Sequence, residues 1–190
     1  MNSQLPSASA FCKSFPQLVK HSSAQDVEAL LACLKETQLE PGTALVLDGA
    51  IISSLYFVWD GELCCSIENG DEKVEIGRIG PGQYVGEVSL LDPGPATASV
   101  VAESPTTVYE LSREDFDKLG QAHPLIRSKL IRAMVAQLIE RLRSSDQLLF
   151  QLFDSEEPQQ VTTTPSGRSD AAQWYNRIYH RLLGSEGGRS

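Results

Sequence analysis

The spacing of apolar positions changes along this chain, and each change marks a change of element. Phe11, Phe15 and Leu18 recur at a helix-like interval that Pro16 interrupts. Ser22-Ser23 then opens a second predicted helix, with Gln25 and Asp26 in its first turn and Val27, Leu30, Leu31 and Leu34 as its apolar stripe. From Leu39 the period falls to two. Ala44-Leu45-Val46-Leu47 reads as a strand between the turns Pro41-Gly42 and Asp48-Gly49. Leu55, Phe57 and Trp59 alternate with Tyr56, Val58 and Asp60, and Leu63, Cys65 and Ile67 with Glu62, Cys64 and Ser66. Asn69-Gly70 is a hairpin signal, because both central positions of a type I′ turn need positive φ. Val74 and Ile76 extend the next strand. Thr107-Val108-Tyr109-Glu110-Leu111 closes the series. Many short strands between Gly-containing turns predict an antiparallel roll.

The stretch between the two strand-rich halves breaks this rhythm. Gly80-Pro81-Gly82 is a turn. Gly86-Glu87-Val88-Ser89-Leu90-Leu91 reads as one helical turn, ended by Asp92-Pro93-Gly94-Pro95, and Thr97 to Ala102 resumes an extended run. A short helix inserted in a sheet leaves backbone N–H groups free at its start, where the dipole favours an anion. Glu87 at the same turn suits a sugar hydroxyl, so phosphate at the amides and ribose at Glu87 is one reading. A tight loop holding a barrel corner is the other.

After the roll, Ser112 caps a short helix with Asp115 three residues on; Phe116 and Leu119 face inward and Gly120 ends it. His123-Pro124 starts a long helix. Leu130, Met134, Leu138 and Leu142 repeat along it, with Ile131, Val135 and Ile139 beside them. Arg127, Lys129, Arg132, Arg141 and Arg143 read as its solvated face. Residues 154–170 are polar and hold Pro158, Pro165, Gly167 and a threonine run, which reads as a linker. Residues 171–183 form a short amphipathic helix carrying Trp174, Ile178 and Leu182, which suits docking on the pocket, on a second copy or on a protein partner. It is too short for a helix-turn-helix.

Composition narrows the function. The 190 residues carry a formal net charge of -9, which argues against a nucleic-acid surface. No apolar run spans a bilayer, and Met1 to Ala10 lacks a basic region followed by an apolar core. Cys12, Cys33, Cys64 and Cys65 show no C-x-x-C spacing and read as reduced packing residues of a cytoplasmic protein. His21, His123 and His180 all lie outside the expected roll, so a cupin-type metal enzyme, whose histidines cluster on the strands, is not expected. No cofactor and no catalytic residue is expected.

The stretch from Gly86 to Val100 resembles the phosphate-binding cassette of the cyclic nucleotide-binding domain family. Gly86, Glu87, Ser89, Leu90, Pro95, Ala98, Ser99 and Val100 fall on its pattern with no change of length. The turn order Pro41-Gly42, Asp48-Gly49, Asp60-Gly61 and Gly80-Pro81-Gly82 extends the likeness over roughly residues 11 to 150. The resemblance implies a mainly β fold with flanking α-helices: an antiparallel, jelly-roll-like β-roll at about 39–111 with N-terminal helices and a long C-terminal helix at about 124–153. Residues 1–10 and 184–190 are expected to be flexible ends of the domain at 11–153, its linker and its tail helix. It also implies a ligand at Gly86, Glu87, Val88, Ser89, Ala96, Thr97, Ala98 and Ser99, and a homodimer through the long helix. The DNA-binding half of related regulators is not expected.

One position departs from the pattern. The family's arginine, which pairs with the cyclic phosphate, falls on Ala96. Each charge-assisted bond contributes roughly 1.5–3 kcal/mol, so its loss implies cyclic AMP or cyclic GMP binding about ten- to a hundredfold weaker per bond. Glu87 loses a neighbouring cation as well. Arg78 is the nearest arginine in sequence; strict alternation faces it inward beside Val74 and Ile76, and a bulge at Gly77 turns it out. Thr97 sits where similar domains carry a threonine with guanine preference. The functions left open are a non-enzymatic sensor with a degenerate cassette, a sensor of another nucleotide such as cyclic di-GMP, and a ligand-free adaptor or oligomerisation module of the same fold.

Overall fold

In the computed structural model, which describes residues 5–20, 22–69 and 72–154, helices cover one face of a sheet whose other face closes onto a second sheet. Helices α1 (Ala8–Ser14) and α2 (Pro16–Val19) meet at Phe15, with proline in the first turn of α2, where its missing N–H costs nothing. Helix α3 (Ala24–Ala32) starts with a full capping box. The Ser23 hydroxyl accepts from the Asp26 N–H, and Asp26 reaches back to the Ser23 N–H. The Ser23 side chain also holds the Asp26 carboxyl below its ordinary value.

Strands β1 (Lys35–Leu39), β4 (Ser54–Asp60), β7 (Tyr84–Val85) and β10 (Thr106–Ser112) form one antiparallel sheet in the order β1-β10-β4-β7. Strands β2 (Ala44–Val46), β5 (Leu63–Asn69), β6 (Glu72–Ile79) and β9 (Ser99–Ala102) form the other, in the order β2-β9-β5-β6. Strand β3 (Ile51–Ile52) pairs with β8 (Gly94–Pro95). The period-two pattern of β4 explains the layering. Leu55 and Phe57 point to the helices and join a core with Phe11, Phe15, Leu30, Tyr84, Leu111 and Leu130. Val58 points the other way, into the roll, with Leu39, Val46, Leu63, Val100 and Val108. The helical side is built on edge-to-face rings, Phe57 standing 5.8 Å from Phe11, 5.5 Å from Phe15 and 6.1 Å from Tyr84. This is the antiparallel β-roll with N-terminal helices and a long C-terminal helix that the sequence predicts.

Four local expectations change. Strand β1 lies ahead of the period-two run expected from Leu39; it is a polar edge strand held by β10 and shows no alternation. Gly94–Pro95 pairs with Ile52 and Ile51 besides ending the cassette helix. Asn69 is paired with Glu72, so it belongs to the ladder, and residues 70 and 71 lie outside the described residues. Gly120 does not end its helix: α5 runs Arg113–Ala122 and is closed by His123. The absent side chain of Gly120 serves a neighbour instead, since a Cβ there would overlap the Arg127 side chain. Helix α6 (Pro124–Asp154) follows. Packing divides the chain after Arg141, and side-chain contacts below concern the part up to that residue. Among the described residues no helix is long and apolar enough to cross a membrane. The linker and the 171–183 helix lie outside the described residues.

Candidate functional site

The expected break in the sheet rhythm is a helical turn, α4 (Glu87–Leu91), entered through Gly86 at φ 96°. Only glycine takes that torsion without strain, and only glycine fits: a Cβ would overlap the carbonyl oxygen of Ser54 on β4. The turn is pinned on β4, which fixes where Glu87 begins. The Glu87 side chain is 2% exposed. A carboxylate so placed needs a partner.

That partner comes from α6. Arg141 Nη1 donates to Glu87 Oε1 at 2.5 Å, across 54 positions of sequence. One turn earlier on the same helix face, Gln137 Nε2 donates to the Tyr84 carbonyl at 3.1 Å. So α6 touches α4 through Arg141 and the strand that leads into it, β7, through Gln137. The expectation that Glu87 lacks a cation is corrected here; Arg141 is solvated as expected, its side chain 48% exposed, and still pairs with Glu87. Arg127 and Lys129, placed on the same face by sequence, also have partners, in Asp117 and the Ser22 hydroxyl. Helical phase is the signal that finds Arg141: it falls on the side of α6 that carries buried Leu130 and Met134. A charged residue on a buried stripe implies a buried counter-charge.

Two groups beside this ion pair are shifted by burial. Burial pushes the Tyr84 hydroxyl up to about 12, with the Glu87 charge adding to the shift. Burial likewise pushes the Cys65 thiol up to about 11, against the nearby Arg141 charge. Cys65 is paired with Val100 on β9, which brings the second half of the cassette to the same neighbourhood.

The other expected site residues differ in exposure. Val88 is 46% exposed and Ser89 is buried. Ala96 is buried in the core of the roll with Val46 and Val100, and its backbone bonds Gly49 and Ala50. Thr97 is exposed, while Ala98 and Ser99 are half-buried. The Ser99 hydroxyl accepts from the Asp48 N–H at 3.0 Å. Arg78 is exposed, as are Val74 and Ile76, which strict alternation faces inward, and the ladder shifts register beside it, where Cys65 pairs with Gly77 and Ser66 with Glu75. Its guanidinium bonds Glu75 and Glu62, each at 2.8 Å.

The family described as "Cyclic nucleotide-binding domain" matches residues 36–123, which take in both sheets and the cassette. Residues 36–123 thus resemble a cyclic nucleotide-binding domain in sequence, and the chain shares the fold of one. The domain is similar to part of the potassium/sodium hyperpolarization-activated cyclic nucleotide-gated channel 1 of Homo sapiens, at 26% identity over 130 residues, 68% of this chain and 14% of the channel. The chain thus spans a small part of that curated relative. Among solved structures, a cyclic nucleotide-binding domain from Methylobacillus flagellatus superposes with TM-score 0.68 and 21% identity, over 82% of this chain and 89% of that one. The catabolite activator protein of Thermus thermophilus superposes with TM-score 0.62 and 30% identity, over 72% and 62%.

Proposed function

We propose that this domain is a non-enzymatic regulatory module that takes a cyclic-nucleotide-type ligand weakly and reports it through α6. The observation that carries the reading is the Glu87–Arg141 contact. It links the residue suited to a ribose hydroxyl directly to the helix that leaves the domain. A ligand hydroxyl on Glu87 competes with Arg141 and so biases the position of α6. Gly86, Val88 and Ser89 form one side of the proposed pocket; Ala96, Thr97, Ala98 and Ser99 form the other. Weak affinity follows from Ala96, which has no guanidinium to offer the phosphate. A ligand-free adaptor is the second reading, favoured by one fact: Arg141 already satisfies Glu87.

Calorimetric titration with cyclic AMP, cyclic GMP and cyclic di-GMP separates the two. The sensor reading expects binding by the unsubstituted chain to at least one of them, in the range of roughly 10–1,000 μM. Ala96→Arg, checked for folding by circular dichroism, is expected to tighten it by about tenfold or more. No heat from any nucleotide with either protein rejects the sensor and leaves the adaptor.

The same helix is proposed to pair two copies. Val135 and Ile139 are 42% and 43% exposed and stand one turn apart, on a side of α6 away from Arg141. Sedimentation velocity is expected to show a dimer that Val135→Glu/Ile139→Glu converts to monomer. A monomer in both cases removes the dimer from the proposal.

A further inference from the structure

We infer that Asp117 is a positioning residue that ties the cassette helix to the start of α6 through two arginines. Arg113, at the start of α5, donates from Nη1 to the carbonyl oxygens of Leu90 at 2.6 Å and Leu91 at 3.2 Å. These are C-terminal carbonyls of α4, which helical bonding leaves open and a cation suits. The Arg113 Nε donates to Asp117 Oδ2 at 3.1 Å. The other carboxylate oxygen, Asp117 Oδ1, accepts from Arg127 Nη2 on α6 at 3.2 Å. One carboxylate therefore serves two arginines, one gripping α4 and the other rooted in α6.

Arg127 is fixed on its other sides as well. Its guanidinium lies 5.1 Å from the Phe116 ring centroid, and its Nε is buried with no hydrogen-bond partner among the described residues. Its chain passes over α5 where Gly120 leaves room. Glycine inside a helix lowers helix stability, and here it opens the path that lets Arg127 reach Asp117. The contacts form a continuous line, α4–Arg113–Asp117–Arg127–α6, separate from the Glu87–Arg141 pair at the other end of α4. A shift of α4 therefore moves the α5–α6 corner even where α6 has left Glu87. This inference does not depend on which ligand occupies the pocket.

Hydrogen–deuterium exchange of the ligand-free protein tests it. Asp117→Asn is expected to speed exchange about tenfold both in α4 and in the first turns of α6. Acceleration confined to α5, or spread evenly into β4, overturns the inference. Gly120→Ala is the second variant and keeps every charge. It is expected to slow exchange in α5 by roughly fivefold through better helix propensity, yet to speed it at the start of α6 by displacing Arg127. Slower exchange in both helices overturns the inference too, because it shows that Arg127 carries no constraint from α5.

Discussion

Gly86→Ala is expected to lower stability by about 3 kcal/mol or more, read as a fall in the urea midpoint at unchanged slope. Two costs combine. An L-residue at φ 96° is strained, and its Cβ meets the Ser54 carbonyl oxygen on β4. Relief requires α4 to lift from the strand, which drags Glu87 away from Arg141. Gly42 separates the two costs. It too has positive φ, at 83°, but open space around a built Cβ. Gly42→Ala is therefore expected to lose only about 1 kcal/mol, the torsional part alone. Equal losses at the two positions mean that the close approach to Ser54 relaxes freely, and that Gly86 is needed for its torsion only.

The second large effect is at Arg141. Removing one partner of a buried ion pair leaves the other desolvated and uncompensated, and that costs more than the pair itself contributes. Glu87 is the buried member, whereas the Arg141 side chain is 48% exposed. Arg141→Ala is therefore expected to cost about 2–4 kcal/mol, at or below the usual range for a fully buried pair. Removing both charges is expected to be milder: Glu87→Gln/Arg141→Ala recovers most of that loss, since no buried charge is left. Equilibrium urea unfolding of the four proteins closes the cycle. A loss below about 0.5 kcal/mol for Arg141→Ala shows that Glu87 does not depend on this cation.

The parts of the fold that could be read in advance are those whose causes are local. The capping box of Ser23 and Asp26 lies within four residues, and the alternation along β4 lies within seven. Gly86-Glu87 announces a turn because positive φ and a helix start are neighbours in sequence. What escaped is set by distant partners. Lys35–Leu39 is a strand because β10 offers it a ladder, not because its own residues alternate. Gly120 looks like a helix stop, but its role is set by Arg127 from the next helix. At the candidate site, Glu87 at the start of a helical turn was visible in the sequence. The cation on Glu87 was not visible, because it comes from outside the motif. Its only trace in the sequence is an arginine in phase with Leu130 and Met134.

Helix α6 carries both Arg141 and the pair Val135 and Ile139, and a helix is a rod with a fixed angular pitch. At about 100° per residue, Leu130, Met134, Gln137 and Arg141 lie within roughly 60° of one another, and Val135 and Ile139 sit about 130° or more round from their mean. The two faces are locked like the teeth of one gear. A twist that lifts Arg141 from Glu87 re-aims the apolar pair by the same angle, with no flexible joint to absorb it. On the proposed reading, what the domain hands onward is then a phase, and its size is set by how far the rod turns and not by how far it travels.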